Sequence, residues 1–496
     1  MHGHEKSDRP VVPANPPNKA GAPAAEAGEG SGLGKENATS KPRPGLRAGV
    51  SVSSALDRVR RMARQDKEVR FTALLHHVDV DRLRAAYFAL EPKAAPGVDG
   101  VTWWDYGEDL ERNLRGLHGR VHRGAYRARP SRRVYIPKAD GRQRPLGVAA
   151  LEDKILQRAV VEVLNAVYEQ DFLGFSYGFR PGRSQHQALD ALAVGIQRRR
   201  VNWVLDADIR GFYDSIDHGW LLEFLEHRIA DRRVLRLIRK WLKAGVIEDG
   251  EWSATLEGAA QGASVSPLLS NVYLHYVFDL WAEQWRRRNA SGEVIIVRFA
   301  DDYIVGFEHE DDARRFLEEL RDRVAKFNLE LADEKTRLIE FGRYAAERRA
   351  KHGLGKPETF QFLGFTHACA KTKKGRFMVK RVTDAKRLRA KLHKVKADLR
   401  RRMHLPIPEQ GRWLGAVVQG HLNYYAVPGN IEAVKNYRDQ VTRHWYRALR
   451  RRSQRDRLDW QKMHRLAQRW LPPAKILHPW PNQRFDARIQ ARSPVS

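Results

Sequence analysis

The chain has 496 residues, with 90 Lys and Arg against 60 Asp and Glu and a formal charge of +30. That length admits about three domains, each able to bury a core. A single cysteine, Cys369, excludes an internal disulfide or a multi-cysteine zinc site, and no apolar run reaches the roughly twenty residues a membrane helix needs. From Lys371 to Ser496 there are 32 Lys and Arg but only 8 Asp and Glu. Trp413, Tyr424, Tyr425, Trp445, Tyr446, Trp460 and Trp470 are interleaved with these cations. The mixture suits a surface for phosphate backbone and stacked bases, and no clean amphipathic anchor points to a membrane instead.

The first fifty residues, rich in Pro, Ala, Gly and Ser, are expected to be a disordered leader. Leu56, Val59 and Met62, then Leu74, Leu75 and Val78, recur at helical spacing. Two short strands follow around Asp140-Gly141, carrying Lys138, Arg142 and Arg144, a basic hairpin that is either solvated or a clamp for a triphosphate. Ile155, Leu156, Ala159, Val160, Val163, Leu164 and Val167 form a helical stripe expected to be core. Phe175-Ser-Tyr-Gly-Phe-Arg-Pro-Gly-Arg183 is a loop of the kind that contacts a nucleic-acid backbone. Ser266-Pro267 is a helix start, Ala313 to Phe327 an amphipathic helix, and Phe360 to Phe365 a strand whose Gly364 permits close approach of another backbone. Helices are predicted near 384–403, 409–426 and 430–452, after which Pro472, Pro473, Pro479 and Pro481 are expected to leave the tail irregular. Gly32-Leu-Gly-Lys35 and Gly353-Leu-Gly-Lys356 lack the Ser or Thr of a phosphate loop.

The chemistry concentrates at three aspartates. Val294-Ile-Ile-Val-Arg-Phe-Ala-Asp-Asp-Tyr-Ile-Val-Gly-Phe307 reads as a hairpin with Asp301 and Asp302 at its tip, and Trp203-Val-Leu-Asp-Ala-Asp208 as a strand ending in a third carboxylate. An Asp-Asp pair alone is usually a turn former. Three carboxylates at one sheet edge repel unless cations intervene, and hard oxygen ligands suit a pair of Mg²⁺ ions about 4 Å apart, as in phosphoryl transfer.

Taken in order, Ile136-Pro-Lys138 with Arg144-Pro-Leu-Gly147, Gly178-Phe-Arg-Pro-Gly182, Asp208-Ile-Arg-Gly-Phe-Tyr-Asp214, Gln261-Gly262 with Ser266-Pro-Leu-Leu-Ser-Asn271, Phe299-Ala-Asp-Asp302, Lys335-Thr336 and Phe362-Leu-Gly-Phe365 resemble the group II intron-encoded reverse transcriptases, or maturases. The resemblance runs from about residue 90 to 487, with Gly420-His-Leu-Asn-Tyr-Tyr425 near the centre of a region similar to the family's thumb, domain X. It implies an α+β right-hand polymerase whose fingers and antiparallel palm are followed by an α-helical thumb. The divisions expected are a leader at 1–50, a helical extension at 51–130, fingers and palm at 131–370, a thumb at 371–457 and a basic tail at 458–496.

The same resemblance makes Asp208, Asp301 and Asp302 the palm carboxylates, with two Mg²⁺ held chiefly by Asp208 and Asp301 and by the Ile209 carbonyl. It implies nucleotide contacts from Lys138, Arg144, Gln261 and Lys335, and primer or template contacts from Arg180, Gly364, Tyr424 and Tyr425. Tyr213 falls where an aromatic blocks a 2′-hydroxyl, its alternative being a core aromatic. The usual tyrosine before Ala-Asp-Asp is Phe299 here, a loss of about 1 kcal/mol if that hydroxyl is hydrogen-bonded, so rate or fidelity is affected and not the chemistry. Implied partners are group II intron RNA, an RNA template with its DNA primer, target DNA and deoxynucleotides, with a homodimer left open and no membrane. The expected setting is the bacterial cytoplasm, at the nucleoid. The lack of a Cys-rich nuclease segment predicts dependence on a primer from elsewhere. A maturase without polymerase activity, or a reverse transcriptase turned to phage defence or diversity generation, remains the alternative.

Overall fold

The computed structural model describes residues 56–137, 143–248, 250–255, 257–259, 261–452 and 458–490. The expected leader, Lys138 and the turn at 140–141 lie outside them. Helices α1 (Asp57–Gln65), α2 (Val80–Phe88), α3 (Trp103–Gly107) and α4 (Leu110–His122) come first. Asp79 caps α2, and Thr102 and Asp105 close a reciprocal capping box on α3, which meets N–H groups that have no partner within the helix. Their apolar faces pack on α5 (Leu151–Asp171), where the whole predicted stripe from Ile155 to Val167 is buried, each large aliphatic side chain contributing about 1.5–3 kcal/mol. Strands β1 (Ser131–Pro137) and β2 (Gln143–Val148) form the expected antiparallel hairpin, with Ile136 opposite Arg144. β1 also pairs in parallel with β4 (Val246–Glu248), itself followed by β5 (Glu251–Ser253); three-residue strands carry too little periodicity to be read from sequence.

The central sheet has the order β6-β7-β3-β8 and is antiparallel throughout: β3 is Trp203–Ala207, β6 Val294–Phe299, β7 Asp302–Phe307 and β8 Arg337–Glu340. Both faces are covered, so alternation sorts its residues between two cores. Leu205, Ala207, Ile296, Tyr303, Val305 and Phe307 join a core with α9 (Ser266–Leu274) and α11 (Glu310–Ala325). Val204, Val297, Phe299, Ile304 and Ile339 turn the other way, towards α6 (Gln185–Arg198) and the C-terminal helices. Between β3 and α9 lie α7 (His218–Glu226) and α8 (Arg232–Leu242), and α9 runs through a π-helical turn, His275–Asp279, into α10 (Leu280–Arg288).

After α12 (Ala345–Lys351) comes a second antiparallel sheet of β9 (Phe360–Phe362), β10 (Phe365–Lys371) and β11 (Phe377–Thr383). The expected strand over 360–365 is broken. Phe362 pairs with Phe365 across a two-residue turn in which Leu363 (φ 48°) and Gly364 (φ 77°) are both left-handed, so Gly364 serves a tight hairpin. Lys371 to Gly375 turn the β10–β11 hairpin, with Gly375 N–H donating to the Thr372 carbonyl, and the helical region begins at Ala385. Helices α13 (Ala385–Arg401), α14 (Ile407–Tyr425) and α15 (Ile431–Arg450) match the three predicted ones. The tail is more regular than its prolines suggested: α16 spans Trp460–Trp470 and α17 spans Pro481–Gln490, Pro481 standing at a helix start, where its missing N–H costs nothing. Among the described residues no helix is long and apolar enough to cross a membrane.

Candidate active site

β6 and β7 are joined by Ala300 and Asp301 alone, since Phe299 pairs with Asp302. Ala300 is left-handed (φ 55°), a conformation that costs a residue with a Cβ about 1–2 kcal/mol and has to be held in place. β3 lies against β7 with Ala207 opposite Tyr303. Carried one residue further, that register sets Asp208 beside Asp302, so two strands and one turn deliver the three carboxylates to one end of the sheet. Asp301 and Asp302 are 2% and 8% exposed. The Asp208 carbonyl accepts from Ala332 N–H at 2.8 Å, and Ile209, itself buried, bridges to Leu331.

Lys335 is placed by this same loop, and its Nζ lies 2.5 Å from Asp208 Oδ2. In this structure it therefore pairs with the Asp208 carboxylate, a different contact from the nucleotide contact expected of it. Asp206, which the sequence did not flag, faces the same side of β3 as Asp208. Desolvation pushes its pKa up to about 7; Arg337, its neighbour on β8, pulls it down, and the Asp208 charge adds to the rise.

The donor set is all oxygen. Among the described residues no three Asp, Glu, His or Cys side chains meet as a ready-made cage. Mg²⁺ is commonly held by one or two carboxylates completed by water and substrate phosphates, so Asp208 and Asp301 fit that ion.

Behind the turn is a polar layer that the sequence did not reveal. Arg298 is fully buried, on the α9 side of β6 by alternation with Ile296. Its guanidinium donates from Nε to Asp279 Oδ1 at 2.7 Å, from Nη2 to Asp279 Oδ2 at 2.5 Å, and from Nη1 to Asn271 Oδ1 at 3.0 Å and the Ala300 carbonyl at 2.8 Å. Asn271 Nδ2 in turn donates to the Gly178 carbonyl at 2.7 Å. The loop 175–178 pairs with the end of β6: Arg298 N–H donates to Phe175 and Tyr177 N–H to Arg298. A Cβ on Gly178 would lie 2.1 Å from Ala300 N, so only glycine lets the loop back the turn. An arginine inside an apolar strand was the available signal; its partner, nineteen residues upstream, had none.

The remaining expected site residues divide. Arg144 is buried in β2, and Gly147 N–H donates to the Gln261 carbonyl at 2.8 Å, so the Arg144-Pro-Leu-Gly147 and Gln261-Gly262 blocks meet. Gly262 is left-handed (φ 115°) against the Gly147 carbonyl. Tyr213 is 7% exposed, its ring edge-on to Phe212 at 5.5 Å, which places it largely in the core. Arg180 is engaged within the protein. It is 5% exposed, ion-paired to Glu169 at 3.0 Å, and donates to the carbonyls of Leu173 at 2.7 Å and Ser176 at 2.8 Å, so it braces the loop behind the Ala300-Asp301 turn. Tyr424 and Tyr425 are each 8% exposed and pack on Phe365, the Tyr424 hydroxyl donating to the Leu363 carbonyl at 2.8 Å, so in this structure their rings lie in the core. Trp445 is buried as well. Trp413 and Trp470 are half-buried with Arg402 and Arg469 over their rings, and Tyr446 and Trp460 stack at 4.2 Å beside an open cleft of about 670 Å³ that Arg443, Arg447, Arg450 and Arg451 complete.

Residues 136–367 match the family described as reverse transcriptase (RNA-dependent DNA polymerase). The chain is 36% identical over 254 residues to Protein YkfC of Escherichia coli K12, covering 45% of this chain and 66% of that protein. It is 33% identical over 222 residues to the group II intron-encoded protein LtrA of Lactococcus lactis subsp. cremoris, covering 44% and 37%. Against a 91 kDa protein in the cob intron of Schizosaccharomyces pombe the identity is 41% over 146 residues, 29% and 18% of the two chains. Each match spans less than two thirds of the relative's own length.

Proposed function

We propose that this chain, whose residues 136–367 match the reverse transcriptase family and which has group II intron-encoded proteins among its relatives, is an RNA-directed DNA polymerase that binds its own intron RNA, assists splicing and copies the intron into DNA. The observation that carries the polymerase reading is the delivery of Asp208 and Asp301 to one end of the β6-β7-β3-β8 sheet. Asp208 and Asp301, with the Ile209 carbonyl, would hold two Mg²⁺ ions, which when bound lower the pKa of a primer 3′-hydroxyl and offset charge on the departing pyrophosphate. Asp302 supports the same end of the sheet. Lys335 gives up its Asp208 contact and turns to the incoming triphosphate. Arg144, on β2, and Lys138 grip that triphosphate, Gln261 lines the base pocket, and Tyr213 excludes a 2′-hydroxyl.

The Arg-rich cleft beside Tyr446 and Trp460 supports intron RNA binding, since base stacking and phosphate neutralisation add there. The relatives named as intron-encoded or as lying in an intron support the link to an intron from which the splicing and copying roles are proposed. The test is Mg²⁺-dependent incorporation of deoxynucleotides on a primed RNA template by the wild type and by Asp301→Ala. Incorporation lost in the variant is expected; an inactive but folded, RNA-binding wild type would replace the polymerase by a splicing maturase.

A further inference from the structure

We propose that the buried Arg298–Asp279 pair, with Asn271, is the positioning device of the catalytic turn and sets its affinity for divalent cations. The inference rests on the polymerase reading of the site. Arg298 and Asp279 have no exposed side-chain surface, and burying two charges is rarely the most stable way to fill a core. The geometry shows what the charge does. Asp279 takes two edges of the guanidinium, Nε and Nη2, and fixes its plane. The remaining nitrogen, Nη1, is thereby aimed at the Ala300 carbonyl and at Asn271. Ala300 is the left-handed residue immediately before Asp301, so the bond to its carbonyl decides which way the next peptide, and with it the Asp301 carboxylate, faces.

Asp279 reaches Arg298 from the last residue of the π-helical turn between α9 and α10. Such a turn inserts an additional residue into a helix and is frequent at functional sites; here it ends at the residue that meets the strand. Asn271 ties the same guanidinium to the Gly178 carbonyl, so loop 175–178, strand β6 and helix α9 are all registered on one side chain. A lysine at 298 carries its three donors on a single nitrogen and cannot span the separate positions that Nε, Nη1 and Nη2 occupy against Asp279, Asn271 and Ala300.

The test uses the full chain and two variants, Arg298→Lys and Asn271→Ser, with Asp301→Ala as the reference for loss of the metal site. Mn²⁺ binding is read by electron paramagnetic resonance, primer–template affinity by fluorescence anisotropy, folding by circular dichroism, and incorporation as a function of Mg²⁺. Both variants are expected to weaken Mn²⁺ binding by about tenfold or more, as for residues that orient metal ligands. The Mg²⁺ needed for half-maximal incorporation should rise in parallel, with the rate largely restored at saturating Mg²⁺ and primer–template affinity unchanged. A purely structural role would lower the amount of folded protein and leave the Mg²⁺ dependence of the remainder as in the wild type. Folded Arg298→Lys with wild-type Mn²⁺ affinity overturns the proposal; if that variant does not fold, Asn271→Ser decides by the same criterion. Mn²⁺ binding by the wild type that is indifferent to Asp301→Ala would instead overturn the polymerase reading of the site.

Discussion

Replacing Gly178 by alanine tests whether the loop behind the catalytic turn is part of the machinery. The added Cβ would lie 2.1 Å from Ala300 N and 2.9 Å from Ala300 Cα and Phe299 C, all backbone atoms, where contacts under 3.0 Å are not tolerated. Backbone must then give by about 0.9 Å, the difference between those limits, and the segment that gives is either loop 175–178 or the turn that carries Asp301. Overpacking of this size costs about 1–3 kcal/mol of stability. A displacement near 1 Å at a reacting group costs about a hundredfold in rate. Gly182, in the same loop, is the control: it is left-handed (φ 64°) but a Cβ there meets nothing within 4 Å, so alanine adds backbone strain of about 1–2 kcal/mol without pushing the turn. Primer extension at saturating nucleotide, with thermal unfolding in parallel, separates the two effects. Gly178→Ala is expected to fold with a reduced melting temperature and to lose about two orders of magnitude in rate, while Gly182→Ala loses stability alone. Extension by Gly178→Ala within about threefold of the wild type would refute the reasoning, because a backbone clash with the turn would then have no consequence for the chemistry.

Arg180→Met should destabilise by about 2–4 kcal/mol, a little below the usual cost of breaking a buried pair because Glu169 retains 19% of its side-chain exposure; its RNA affinity should keep the wild-type salt slope, which a lost phosphate contact would lower by about one. Burial, with Arg381 adding, pushes the His367 pKa down to about 3, so the unfolded chain binds a proton below about 6.5 that the folded chain refuses. Stability is then full above that value and falls with pH, by about 2 kcal/mol from this ring at pH 5. His367→Phe, which keeps the 4.8 Å stack on Phe360, should reduce the drop in melting temperature between pH 7 and 5, and an unchanged drop would exclude His367 as a cause. Tyr213→Ala should raise ribonucleotide incorporation relative to deoxynucleotide; a fall in melting temperature with discrimination intact would assign the ring to the core alone.

The sequence made the sheet and its carboxylates legible because both are local. Alternation along Val294–Phe307 and a turn-forming Asp pair identify a hairpin without knowledge of anything distant. The helices at 385–401, 407–425 and 431–450 were legible for the same reason, through apolar spacing within one segment. What stayed hidden depends on partners far along the chain. Arg180 looks like a phosphate contact until Glu169 and two carbonyls are seen to occupy its guanidinium. Tyr424 and Tyr425, embedded in a basic region, looked like stacking platforms, and composition cannot distinguish an aromatic that faces solvent from one that faces Phe365. The Leu363-Gly364 turn was missed because a left-handed leucine is a conformation that local preference argues against.

Those two tyrosines acquire a different importance once buried. The core that holds Phe299 and Ala300 on one side of the catalytic hairpin also contains Phe365, Tyr424, Tyr425, Tyr437 and Trp445, so the basic helices and the carboxylate turn are packed on a common apolar surface. Tyr424 adds a directed tie to the Leu363 carbonyl, within the turn that joins β9 to β10. Asn430, at the start of α15, accepts from Thr383 N–H at 3.0 Å and donates to Thr383 Oγ1 at 2.7 Å, which fixes that helix to the end of β11. Interiors this closely packed transmit displacement and do not absorb it. The arginines around Tyr446 and Trp460 are therefore held in one register with Asp301 by buried side chains, so that, on the proposed reading, a nucleic acid bound at the basic cleft would be fixed relative to the three carboxylates at the end of the central sheet.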